Sequence, residues 1–217
     1  MDAHDTPPAS AALLGHWIGR NARRHGDKAY VHSIAQNKML THGELAAITA
    51  RFGAFLRAHG IGADDRVALL SNNSIEHLIA YLGAMAHGAT ICTIHLEANA
   101  THLDTILAAL DPKLVLYEDG NGLESRAGAA PAGLWHRLGT WCPAGQGEAS
   151  GLFAEIDAVG GGARPEGPSD SPPDGPDRNP ANDACICFTS GTSATPKGVM
   201  LTFAELIGNA RPVADAF

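Results

Sequence analysis

Ala184-Cys185-Ile186-Cys187-Phe188-Thr189-Ser190-Gly191-Thr192-Ser193-Ala194-Thr195-Pro196-Lys197-Gly198-Val199-Met200-Leu201-Thr202-Phe203 reads as strand, loop, strand. An apolar run of strand formers enters the loop and a second one leaves it. Inside it, Thr189, Ser190, Thr192, Ser193 and Thr195 offer neutral hydroxyl donors, and Lys197 adds a cation on a flexible stem. Gly191 and Gly198 let the backbone turn and bring bare amides close to a ligand. No residue between Thr189 and Gly198 is acidic. Such an inventory suits a polyphosphate, whose oxygens accept hydrogen bonds and carry negative charge.

The loop is not a Walker phosphate loop, which places glycine before the lysine and Ser or Thr after it. Here Pro196 precedes Lys197 and Gly198 follows, so the magnesium hydroxyl is missing and a helix cannot start through the loop. A kinase-type phosphotransferase is disfavoured on that ground. The order Thr189, Ser190, Gly191, Thr192, Pro196, Lys197, Gly198 resembles the signature of the adenylate-forming acyl ligases, the superfamily of acyl-CoA synthetases, luciferase and peptide-synthetase adenylation domains. Ser193 is a conservative variant of that signature and Ala194 stands where the family has glycine.

Upstream, eleven of the twenty-one residues from 160 to 180 are Gly or Pro, the composition of an exposed connector. Before it, strand and helix alternate. Arg66–Leu70, Thr90–Ile94 and Leu114–Tyr117 are apolar strands; Ile75, Leu78, Ile79, Leu82 and Met85 line one helix and Leu103, Ile106, Leu107 and Leu110 another. Asn73 with Glu76 has capping-box spacing, and Thr101 is the expected cap of the second helix. This alternation predicts an α/β fold with a parallel, doubly wound sheet and flanking helices. At the start, Ser10 caps a helix carrying Leu13, Leu14, Trp17 and Ile18, and a hairpin turns at Gln36-Asn37. Thr41 and Glu44 form a capping box for a helix with Leu45, Ile48, Phe52, Phe55 and Leu56 on one face. Residues 134–141 read as a strand and 151–156 as a short helix. The expected division is an α/β subdomain over 1–158, a connector over 159–182, and the strand-loop-strand with the start of a further helix over 183–217.

A chain of 217 residues can bury a core, hiding roughly 70% of its unfolded surface. Its net charge of -8, with no run of basic residues beyond Arg23-Arg24, argues against nucleic acid or an anionic membrane as partner. The start has no secretory pattern, and no apolar stretch is long enough for a membrane span. Four cysteines, Cys92, Cys142, Cys185 and Cys187, show no disulfide framework, which points to a reduced cytoplasmic compartment. Cys185 and Cys187 share a strand face and read as buried thiols, not metal ligands; no metal residue is assigned. The eleven histidines are scattered.

The resemblance implies a two-step ligase in which a small-molecule carboxylate attacks ATP to give an acyl-adenylate and pyrophosphate, and coenzyme A then takes the acyl group. Within it, Thr189, Ser190, Gly191, Thr192, Ser193, Thr195, Lys197 and Gly198 would hold the β- and γ-phosphates, with Mg2+ bound mainly by segments that follow the loop in the family. The fold implied is the N-terminal part of the large adenylating domain, with the sheet incomplete. Where the family continues with a histidine near the acyl pocket, this chain has Phe203. The leading expectation is a fragment of an AMP-forming ligase, inactive alone; the alternative is a non-catalytic nucleotide or phosphate module completed by a separate chain.

Overall fold

The computed structural model describes residues 14–130, 134–143, 145–159, 181–189 and 196–215. Helix α1 (Leu14–His25) leads into a two-stranded antiparallel hairpin, β1 (Ala29–Ser33) and β2 (Lys38–Thr41), in which Val31 faces Leu40 and His32 faces Met39. Asn37 takes positive φ at the turn. Then follow α2 (His42–Ala58), β3 (Arg66–Leu70), α3 (Ile75–His87), β4 (Thr90–Ile94), α4 (Ala100–Leu110) and β5 (Leu114–Tyr117). After them come α5 (Leu123–Ala129), β6 (Trp135–Arg137), α6 (Leu152–Val159), β7 (Asp183–Thr189), β8 (Lys197–Thr202) and α7 (Phe203–Asp215). The expected start of α1 at Ser10 and Leu13 and the connector from 160 to 180 lie outside the described residues.

The main sheet has the order β6-β5-β3-β4-β7-β8, parallel throughout except that β8 runs antiparallel to β7. Alternation along each strand divides the core in two. Val67, Leu69, Ile91, Leu114 and Leu116 face α2, α3 and α6, while Ala68, Leu70, Cys92, Val115 and Ile186 face α4 with its Leu103, Ile106 and Leu110. Because α3 covers one face and α4 the other, the connection β3 to β4 moves across the sheet in one direction and β4 to β5 in the opposite one. The doubly wound expectation holds. No helix among the described residues is long and apolar enough to cross a membrane.

The capping box at Thr41 and Glu44 forms in both directions, with Glu44 N–H donating to Thr41 Oγ1 at 3.2 Å and Thr41 N–H to Glu44 Oε2 at 2.9 Å. Two other caps differ from expectation. Ser74, not Asn73, caps α3 by accepting from His77 N–H at 3.0 Å, and Asn99, not Thr101, caps α4 by accepting from His102 N–H at 2.9 Å. Glu76 is thereby released from capping and turns inward, where it is 4% exposed. It accepts from Lys38 Nζ at 2.7 Å, Gln36 Nε2 at 2.6 Å and Trp141 N–H at 3.1 Å. One carboxylate therefore ties the hairpin, α3 and the segment after β6 together. Helices α2 and α3 approach so closely that a Cβ on Gly83 would sit 2.5 Å from Phe52 Cδ1. The strand expected over 134–141 is confined to Trp135–Arg137, and α5 was not expected from sequence.

Candidate functional site

Because β7 is parallel to β4, with Ile91 opposite Cys185 and Cys92 opposite Ile186, its carboxyl end emerges at the same edge as those of β3, β4 and β5. Ligands of open α/β sheets bind at that edge. Strand β7 ends there at Thr189, whose cross-strand partner is Lys197 at the start of β8. Pro196 lies at the mouth of β8, where its missing N–H is no loss to the ladder.

Of the residues expected to hold phosphate, Ser190, Gly191, Thr192, Ser193 and Thr195 lie outside the described residues, as does the side chain of Thr189. Lys197 begins β8 and is exposed at the loop's base. Gly198 is not at a turn. It is a strand residue opposite Phe188, and a Cβ there would meet Ile186 Cγ2 at 3.2 Å and Phe188 Cε1 at 3.4 Å. A side chain at this position would need Ile186 and Phe188 to give by a few tenths of an ångström.

The other end of the hairpin is clamped. Thr90 Oγ1 donates to Asp183 C=O at 2.8 Å and Phe203 N–H donates to Asn182 C=O at 3.1 Å. Thr202 and Glu205 then form a second capping box, with Thr202 N–H to Glu205 Oε2 at 2.8 Å and Glu205 N–H to Thr202 Oγ1 at 3.2 Å. Phe203 is 3% exposed within the core, so α7 is anchored to the end of β8. The spacing Thr-x-x-Glu at 202–205 was a usable signal that sequence reasoning missed.

A second concave feature lies on the same edge. A cleft of ≈ 270 Å³ opens between the ends of β3, β4 and β5, lined by Leu70, His95, Asn99, Leu103, Asn121 and Arg126 among others. It sits where the connections diverge to opposite sides of the sheet, the switch point at which such folds take ligands. Arg126 is paired with Asp104, and Asn121 Nδ2 donates to Leu96 C=O. Beside it, Ser71 Oγ bonds His77 Nδ1 at 2.8 Å and Asn72 N–H donates to Glu118 Oε2 at 2.9 Å. Burial holds the His77 imidazole below its ordinary range, against the raising effect of Glu118. The polar residues of this crest were not assigned a role from the sequence, because they come together from three separate βα connections.

Cys92 and Cys185 are buried and burial raises both, Cys92 up to about 12, whereas Cys187 is exposed, against the expectation that both β7 thiols are covered. Among the described residues no group of three or more His, Cys, Asp or Glu side chains could hold a metal ion. The segment from Thr189 to Gly198 offers no carboxylate to a magnesium ion.

Residues 18–216 match the family model for the AMP-binding enzyme. The chain is 31% identical to sulfoacetate–CoA ligase of Cupriavidus necator over 209 residues, which is 96% of this chain and 38% of that protein. It is 30% identical to feruloyl-CoA synthase of Amycolatopsis over 205 residues, 90% of this chain and 34% of that protein. The structure of ATP-bound MatB from Rhodopseudomonas palustris superimposes with a TM-score of 0.70 at 25% identity, covering 94% of this chain and 37% of that one. The chain thus spans little more than a third of the length of these relatives.

Proposed function

The chain belongs to the AMP-binding enzyme family, and on that premise we propose that it is the phosphate-holding portion of an AMP-forming carboxylate–CoA ligase. In the first step the carboxylate oxygen attacks the α-phosphorus of ATP and pyrophosphate leaves, giving an acyl-adenylate. In the second the thiol of coenzyme A attacks the acyl carbon and AMP leaves. Thr189, Ser190, Gly191, Thr192, Ser193, Thr195, Lys197 and Gly198 hold the β- and γ-phosphates during the first step. Their contribution is positioning and charge stabilisation of the leaving group, not covalent chemistry.

The observation that carries this reading is the hairpin: the one stretch rich in hydroxyls and free of acid is closed at its base by the Thr189 and Lys197 pair, at the ligand-binding edge of the sheet. The cleft between β3, β4 and β5 gives the second substrate a concave polar surface of its own on that same edge. The acid substrate is a small carboxylate. Four free cysteines agree with a cytoplasmic location.

The test is phosphorus NMR of ATP titrated with the chain. The β and γ resonances should broaden before the α resonance, and Lys197→Ala should weaken binding by about 10- to 100-fold, since a charge-assisted phosphate contact contributes about 1.5 to 3 kcal/mol. Equal broadening in the parent and the variant would remove Lys197 from the phosphate site.

A further inference from the structure

The two edges of the six-stranded sheet differ. At one, β6 is three residues long and its Arg137 is ion-paired with Asp119, a short charged strand of the kind that resists pairing with another chain. At the other, β8 runs for six residues and, among the described residues, β7 is the only strand it pairs with. The first four residues of β8 are exposed, Val199 at 48% and Met200 at 61%. The other large apolar side chains exposed among the described residues, Tyr30, Ile34 and Met39, all lie on the β1–β2 hairpin.

This second edge carries none of the usual protection. From Gly198 to Thr202 there is no proline and no charge, and the register with β7 runs unbroken from Lys197 to Leu201. Val199 shares a strand face with Leu201, which packs on the core beside α3; Met200 lies on the opposite face, across from Ile186, on the side of α4. A run that is apolar on both faces has the composition of an interior strand. The net charge of -8 opposes self-association in general, but no acid stands between Ala184 and Ala204, so the repulsion is least at this edge.

We propose that β8 pairs with β8 of a second copy of this chain, antiparallel, across a two-fold axis perpendicular to the sheet. Such an axis joins two six-stranded sheets and keeps each face of one continuous with the same face of the other. Residues that oppose each other across the axis must share a face, so Val199 meets Val199 or Met200 meets Met200. Either register sets apolar against apolar. Lys197, the only charge on β8, stands at the end of the strand, so the two copies of it lie roughly 14 Å or more apart and do not repel appreciably. The inference is independent of the ligase reading.

The test is sedimentation of the full chain. Its mass should rise from 22.5 kDa toward twice that value between about 1 and 100 µM. Val199→Lys and Met200→Lys, each of which brings two ammonium groups together near the axis, should weaken association about tenfold or more with an unchanged circular dichroism spectrum. Ile34→Lys, on the hairpin patch, should associate like the parent. Amide exchange from Val199 to Leu201 should slow as concentration rises. A chain that stays monomeric at about 100 µM would overturn the proposal and leave the edge to a strand of another polypeptide. Association that survives both β8 variants, or that only Ile34→Lys disrupts, would overturn it in favour of a different interface.

Discussion

Lys38 Nζ and Glu76 Oε1 meet at 2.7 Å across 38 positions of sequence, with the two side chains 20% and 5% exposed. Burial alone would raise the Glu76 carboxyl, but hydrogen bonds from Lys38 and Gln36 outweigh it and hold the group below its usual range. A carboxyl lowered in the folded state contributes stability that is present above its unfolded pKa of about 4.3 and is lost as pH falls through the folded value. The melting temperature should therefore drop as pH is taken below about 4, and Glu76→Gln should flatten that slope. At neutral pH, Glu76→Ala should cost about 3 kcal/mol, because it strands a half-buried ammonium and the Trp141 N–H. A Glu76→Ala protein as stable as the parent would show that the hairpin is held by apolar contacts alone.

The start of α3 separates two readings of one sequence. Ser74→Ala should lose about 1 kcal/mol, whereas Asn73→Ala, which removes an exposed side chain ahead of the cap, should stay within about 0.5 kcal/mol of the parent. Chemical denaturation of both variants decides between them, and a larger loss from Asn73→Ala would reverse the assignment.

At Gly83 two effects oppose each other. Alanine gains about 1 kcal/mol of helix propensity, but its Cβ falls 2.5 Å from Phe52 Cδ1, inside a core where Phe52 is 1% exposed. Overpacking at such a site costs about 1 to 3 kcal/mol, so Gly83→Ala should be destabilising on balance. A rise in melting temperature would mean that α2 and α3 can part without penalty.

Thiol labelling reports the packing of β4 and β7. In the native protein a disulfide reagent should modify exposed Cys187 first and Cys142 more slowly, leaving Cys92 and Cys185 unreacted until denaturant is added. Mass spectrometry of the labelled peptides checks the order. Early modification of Cys92 would contradict a thiol raised to about 12 by burial.

What the sequence by itself determined lies within a few residues or a regular period. The Thr41 and Glu44 box, the Leu45, Ile48, Phe52, Phe55 and Leu56 stripe, the apolar strands and the strand-loop-strand around Thr189 and Lys197 were all legible there. Each is a backbone bond at spacing three or a side-chain repeat, encoded in local order. Only the tertiary structure decided that Glu76 is a buried clamp and not a cap, since its partners Gln36, Lys38 and Trp141 lie 38 to 65 positions away. The same holds for the placement of Gly198 in the ladder opposite Phe188, and for the cleft, assembled from three separate turns. The outward face of Tyr30 and Met39 likewise follows from which surfaces the core had already covered. Burial and long-range pairing depend on what the rest of the chain brings alongside, and a residue's own neighbours in sequence carry no record of that.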